Sequence, residues 1–144
     1  MRKKMVKLTL SDGAVFIALT AAFGFYFYSN ENAAEQILAA YMDTAESVSN
    51  EDGSLSYLGV VMNNLYACAL CVGLGAVPFL FLTAWAVLSN SMVIGAVLGY
   101  GSASGVLPAF RAIVIGLLPH GIFELPAVFL SMAMGLYLCR TLSL

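Results

Sequence analysis

The sequence predicts an all-α integral membrane protein, and three observations predict it. The 144-residue chain is 61% hydrophobic and only 10% charged, where a soluble domain runs at about 45–50% apolar and about 25% charged. A soluble fold of this size cannot hide so much apolar surface, because it still exposes much of its area. The apolar residues also gather into runs long enough to cross a bilayer. Finally, the charges are sorted: Arg2, Lys3, Lys4 and Lys7 open the chain, the next basic residue is Arg111, and Glu31, Glu35, Asp43, Glu46, Glu51 and Asp52 crowd between. The net charge of −2 is thus the sum of a basic tip and an acidic loop. No basic patch of the kind nucleic acid needs is present. We expect four to five hydrophobic helical segments, broken near 73–78 and 119–121, plus one amphipathic helix outside the membrane.

Residues 1–12 form the basic tip and 13–28 the first span. A cleavable signal peptide ending near Ala22 is the competing reading. It is disfavoured because the apolar run continues through Phe23-Gly24-Phe25-Tyr26-Phe27-Tyr28 and further spans follow. The aromatic end resembles an interfacial belt, and the positive-inside rule puts the N-terminus in the cytoplasm and 29–56 outside.

In that outer segment Asn32 followed by Glu35 reads as a capping box. Ile37, Leu38, Tyr41, Met42, Ala45 and Val48 recur with helical spacing on one face, with Glu35, Asp43 and Glu46 off it. Two readings stay open: a helix lying on the bilayer or bundle, and a docking helix for an extracytoplasmic partner. The acidic character favours protein contact, since anionic lipid prefers Lys and Arg. Ser49-Asn50-Glu51-Asp52-Gly53-Ser54 is a loop by its turn chemistry.

Residues 57–144 make a multi-helix membrane core. The apolar run 57–88 would be about 48 Å long as one helix, against a hydrocarbon core of about 30 Å. Gly73, Gly75 and Pro78 are its expected break. Ser89-Asn90-Ser91 is read as a short turn, with Asn90 as turn former, and 92–108 as the next span. The run 109–140 is again too long, and Pro119, Gly121 and Pro126 interrupt it. We read it as a short half-helix (109–118) that re-enters and a full helix (122–140) that ends inside. That leaves Arg111 outside and Arg140 in the cytoplasm.

Small residues mark packing faces: Gly95 with Gly99, Gly101 with Gly105, and the row Ala127, Ser131, Gly135. Helices in lipid associate by close backbone approach. These faces serve either the bundle itself or a homodimer. Cys68-Ala69-Leu70-Cys71 matches C-x-x-C, but a redox pair needs a stabilised, accessible thiolate, and its neighbours are apolar. One histidine and distant cysteines give no zinc spacing, so no metal and no cofactor is expected. No phosphate loop or catalytic motif is present, so an enzyme is not expected.

The polar residues left over are the candidates for function. Asn63 and Asn64 are costly in an apolar span unless paired; they serve as interhelical glue or line a polar cavity. His120 and Glu124 stand at i and i+4 beside the Pro119 and Gly121 break. They either seal a helix start, with the carboxylate favoured by the N-terminal dipole, or form an intramembrane relay that Asn63 and Asn64 complete. Ionisable groups at membrane depth mark function by default.

These residues also carry a resemblance. Asn63-Asn64, Gly73-x-Gly75, Pro78, Asn90 with Gly95 and Gly99, and above all Leu118-Pro119-His120-Gly121-Ile122-Phe123-Glu124-Leu125-Pro126-Ala127 with Gly135 resemble the stage II sporulation protein M family over roughly 57–142. The histidine-glutamate motif is similar to the form found in archaea and non-sporulating bacteria. The resemblance implies a multi-pass protein in the plasma membrane of a bacterium or archaeon, and a scaffold. Relatives in spore formers help assemble peptidoglycan-degrading enzymes at the engulfing septum. Two functions are therefore expected to compete: a scaffold for extracytoplasmic or membrane partners, and a small dimeric channel, transporter or exporter subunit built on His120 and Glu124.

Overall fold

The computed structural model describes residues 2–47, 56–79, 81–105, 108, 111, 113–114 and 118–144; at Arg2, 42–47, 57 and 118–124 it describes the backbone alone. The described residues form five helices: α1 (Arg2–Ser29), α2 (Glu31–Ser47), α3 (Tyr57–Leu74), α4 (Thr83–Ala103) and α5 (Leu118–Leu142). Three of them, α1, α4 and α5, are long and apolar enough to cross a membrane, and α3 is a shorter apolar helix. The fold class is the all-helical one the composition predicts.

α1 is continuous from the basic tip into the span. Lys and Arg are good helix formers, no proline intervenes, and Lys3, Lys4 and Lys7 stay exposed. At its far end Asn30 separates α1 from α2. Its side-chain amide donates to the Tyr26 carbonyl at 2.9 Å, while its own carbonyl accepts from the N–H groups of Ala33 and Ala34. The junction is therefore built on Asn30, and the expected cap, Asn32, lies exposed inside the first turn of α2. α2 packs through Ala34, Ile37 and Leu38 against Phe27 and Ala96. Tyr41, expected on that apolar face, is exposed.

α3 starts at Ser56, whose hydroxyl accepts from the Gly59 N–H at 3.2 Å. It ends at Leu74, and the break expected near 73–78 is present there. The connection to α4 contains two non-glycine residues with left-handed backbone, Phe79 (φ 67°) and Phe81 (φ 47°), a conformation costing roughly 1–2 kcal/mol per residue. Two bonds tie it to the end of α5, and a third, within that end, orients the Ser143 hydroxyl. The Phe79 N–H donates to Ser143 Oγ at 2.7 Å, the Ser143 hydroxyl donates to the Cys139 carbonyl, and the Cys139 thiol donates to the Val77 carbonyl at 3.4 Å.

Three sequence expectations are corrected. Ser89-Asn90-Ser91 is not a turn but lies inside α4. All three side chains bond back to carbonyls one turn earlier: Ser89 and Asn90 to Ala86, Ser91 to Val87. That satisfies the groups that would otherwise favour a turn. Gly105 packs against no described residue of this chain. It follows the last turn of α4 with φ 69° and open space around it, the usual left-handed helix stop. The break expected at Pro119 and Gly121 falls at the helix start instead, since α5 begins at Leu118 and runs through Gly121 and Pro126. A proline in the first turn costs nothing, because its missing N–H has no helical partner there. The loop 49–54 lies outside the described residues. So does the half-helix 109–118, apart from Arg111, Ile113 and Val114 and a turn in which the Arg111 N–H donates to the Pro108 carbonyl.

Two glycine contacts set the helix directions. Gly95 faces Phe23 and Gly24, and Gly99 faces Gly24, Phe27 and Tyr28, so a Cβ on Gly95 would fall 2.5 Å from Phe23 Cβ. α1 and α4 therefore run parallel. Gly75 and Gly135 meet backbone to backbone, and Gly135 also abuts the Cys71 carbonyl and Thr83. With Val77 at Cys139 and Phe79 at Ser143, α3 and α5 run parallel too. Thr83 is fully buried at this crossing and donates to the Cys71 carbonyl at 2.9 Å. The two pairs are mutually antiparallel, because Thr83 at the start of α4 meets Gly135 near the end of α5.

A methyl group tests the second crossing. Gly135→Ala places its Cβ 2.6 Å from Thr83 Oγ1 and should cost about 1–3 kcal/mol through overpacking, read as a lower melting temperature in detergent. Gly73→Ala, which meets nothing within 4 Å, should leave it unchanged or raised. Equal losses in both variants would refute the crossing.

Candidate functional site

The polar residues singled out in the sequence fall on the α3–α5 seam and beside it. Asn64 precedes Cys71 by seven residues, about two turns, and so lies on the same face of α3 as the carbonyl that meets Gly135. It is half-buried, whereas its neighbour Asn63 is exposed. On α5, Glu124 precedes Gly135 by eleven residues, about three turns, and occupies the matching line. His120 stands one turn earlier, at the start of the helix. The parallel register thus brings the Asn64 and Glu124 positions to one seam, about a turn apart in height, and turns Asn63 away. The side chains of His120 and Glu124 lie outside the described residues.

The packing residues divide as well. Gly95, Gly99 and Gly135 stand at helix crossings within the chain. Gly101 is half-buried and Ala127 exposed, while Ser131 donates to the Ala127 carbonyl at 2.9 Å. Pro78 follows α3 in the connection and Pro126 lies within α5.

The C-x-x-C pair is part of the crossing. Cys68, Cys71 and Cys139 are free thiols. Cys71 is 2% exposed and packs with Phe16, Val87 and Met132, and its backbone carbonyl is what binds Thr83. The geometry gives it a packing role.

A cavity of about 570 Å³ lies between α1 and α4, bounded by Thr20, Gly24 and Tyr28 on α1, Leu98 on α4, and Ile113 and Leu125. Apart from the hydroxyls of Thr20, Tyr28 and Ser102 its walls are apolar side chains. Such a lining suits hydrocarbon and offers little to a hydrated ion.

The two ends of the bundle differ in charge. Lys3, Lys4 and Lys7 at the start of α1 share one end with Arg140 near the end of α5, and all four are exposed. The other end carries Glu31 and Glu35. There the Tyr100 hydroxyl donates to Glu35 Oε1 at 3.0 Å, fastening α2 to α4.

Sequence reasoning missed one residue. Asp12, assigned to the basic tip, is 8% exposed, and its Oδ2 has no hydrogen-bond partner among the described residues. The available signal was that it is the sole acid before Glu31 and stands one turn before Phe16, on the same helix face.

The family described as Stage II sporulation protein M matches residues 13–144. The chain belongs to this family. The match takes in α1 and α2 as well as the core, further toward the N-terminus than the motifs alone reach. No curated protein and no solved structure matches. Membership, together with three helices long and apolar enough to span, makes this a membrane protein of the Stage II sporulation protein M type.

Thiol chemistry checks the burial at the crossing. In detergent-solubilised protein, maleimide should modify Cys68 first, and Cys71 and Cys139 only on unfolding. Cys71 reacting as fast as Cys68 would contradict the packing described.

Proposed function

We propose that the protein is a non-enzymatic membrane scaffold, without a cofactor, that holds an extracytoplasmic or membrane protein partner. The observation that carries this reading is the placement of α2. Ala34, Ile37 and Leu38 seat it on the far end of the bundle, and the Tyr100–Glu35 bond fixes its angle. Glu31, Asn32, Gln36 and Tyr41 are left exposed. A short amphipathic helix packed on the end of the bundle, with an acidic and partly aromatic outer face, is suited to recognition, since its backbone is already helical before a partner arrives. Family membership supports the same reading, because family members in spore formers serve in assembly. We propose the plasma membrane, with the N-terminus in the cytoplasm, from the lysines at the start of α1.

A second reading is favoured by the register that sets Asn64 and Glu124 on one seam: a channel, transporter or exporter subunit, working as a homodimer, with His120 and Glu124 as its relay. The apolar lining of the large cavity supports the scaffold over it.

Deleting 31–48 should abolish partner recovery in a crosslinking pull-down, while His120→Ala leaves it largely intact; the opposite pattern would favour transport. For orientation, a cysteine replacing Ser54 in a cysteine-free background should react with a membrane-impermeant reagent on whole cells. One replacing Ser143 should react only after permeabilisation. The reverse would invert the topology.

A further inference from the structure

We propose that Asp12 is a proton-binding site, a lone carboxylic acid held in its neutral form within the α1–α5 seam at the basic end of the bundle. The proposal needs only the bundle geometry and is independent of the scaffold reading.

Three observations converge on it. The side chain is 8% exposed and Oδ2 is buried without a partner among the described residues. The residues beside it on the helix pack in apolar contacts: Phe16, one turn on along the same face, stacks edge-on with Phe129 at 5.1 Å, and the backbone of the adjoining Gly13 lies against the Phe129 ring. Among the described side chains no compensating charge is placed to meet it. On α1 the nearest cation, Lys7, is exposed, as are Lys3 and Lys4. α3 and α4 contain no charged residue; their titratable groups are Cys71, which shares the Phe16 cluster, with Cys68 and tyrosines elsewhere. α5 offers Arg140, exposed and two turns beyond Met132, with Tyr137, Cys139 and Glu124.

An ionised carboxylate buried without a partner is so costly that the group takes up a proton instead. Depth allows that proton to exchange. Asp12 lies within the apolar stretch Lys3–Ser29, about 8 Å along the helix from the exposed Lys7. Because the folded bundle keeps a proton that the unfolded chain releases at neutral pH, stability should fall as pH rises.

A hydrophobic carbodiimide tests this, since it reacts with a carboxyl group only in its protonated form. The acid proton passes to a carbodiimide nitrogen as the carboxyl oxygen bonds to the central carbon. With the full chain in lipid nanodiscs, peptide mass spectrometry should find an adduct on Asp12, falling by about tenfold or more across the neutral range as the acid ionises. Asp12→Asn should lose the adduct and flatten the decline of melting temperature with pH. Asp12 left unmodified, whatever other acid reacts, would overturn the proposal. So would labelling that does not change with pH. Should the variant not fold, the wild-type labelling profile alone decides.

Discussion

Hydrocarbon gives helices no reason to associate through apolar surface, so this bundle depends on two places where backbones touch directly. At one, Gly24 lies against Gly95 and Gly99; at the other, Gly75 lies against Gly135. Each removes the side chain that would hold the helices apart and gains dispersion contact along both backbones. The first contact fixes α1 parallel to α4 and thereby places the end of α1, and with it α2, beside Ala96 and Tyr100. The second fixes α3 parallel to α5. Thr83 joins the two, because it begins α4 and yet donates to the Cys71 carbonyl inside the α3–α5 crossing.

The strained connection between α3 and α4 is a consequence of that crossing. α3 must stop at Leu74, since Gly75 is already against Gly135, and α4 must start at Thr83 to reach the same place. In the connection between them Phe79 and Phe81 adopt left-handed backbone. Strain of this kind persists only where the surroundings over-determine it. Here they do: the bonds from Phe79 to Ser143 and from Cys139 to Val77 clamp the connection to the end of α5. The C-terminal residues are therefore part of the fold rather than a tail.

Much of this was legible in the sequence, and the failures have physical causes. Composition and run length are large signals, and they identified the membrane class and the break near Gly75 and Pro78. Gly95, Gly99 and Gly135 were legible as packing residues because small residues in lipid have few other uses. Which partner each would meet was not legible, since spacing names a face and not its neighbour. Ser89-Asn90-Ser91 misled because turn chemistry and helical back-bonding use the same residues, and only the available carbonyls at Ala86 and Val87 decide. Gly105 misled because a glycine four residues after another looks the same at a crossing and at a helix stop. The Asn64–Glu124 seam was half-visible: the residues were singled out, but their shared line depends on a register set by the Gly75–Gly135 crossing and the Cys139–Val77 bond. Asp12 was hidden by its neighbours, since a carboxyl among lysines reads as a surface group until the helix is seen to turn it inward.

The charge asymmetry gains force from the helix directions. A parallel α1 and α4 require the intervening chain to return, and α3 is the helix that does so. α5, parallel to α3, must then finish at the end where α1 begins. Arg140 consequently shares an end with Lys3, Lys4 and Lys7 by packing alone, with no appeal to any rule about charge. The positive-inside tendency reaches the same grouping from composition alone. Geometry and charge thus arrive independently at one arrangement: a basic end that carries the clamped connection and Asp12, and an acidic end that carries α2.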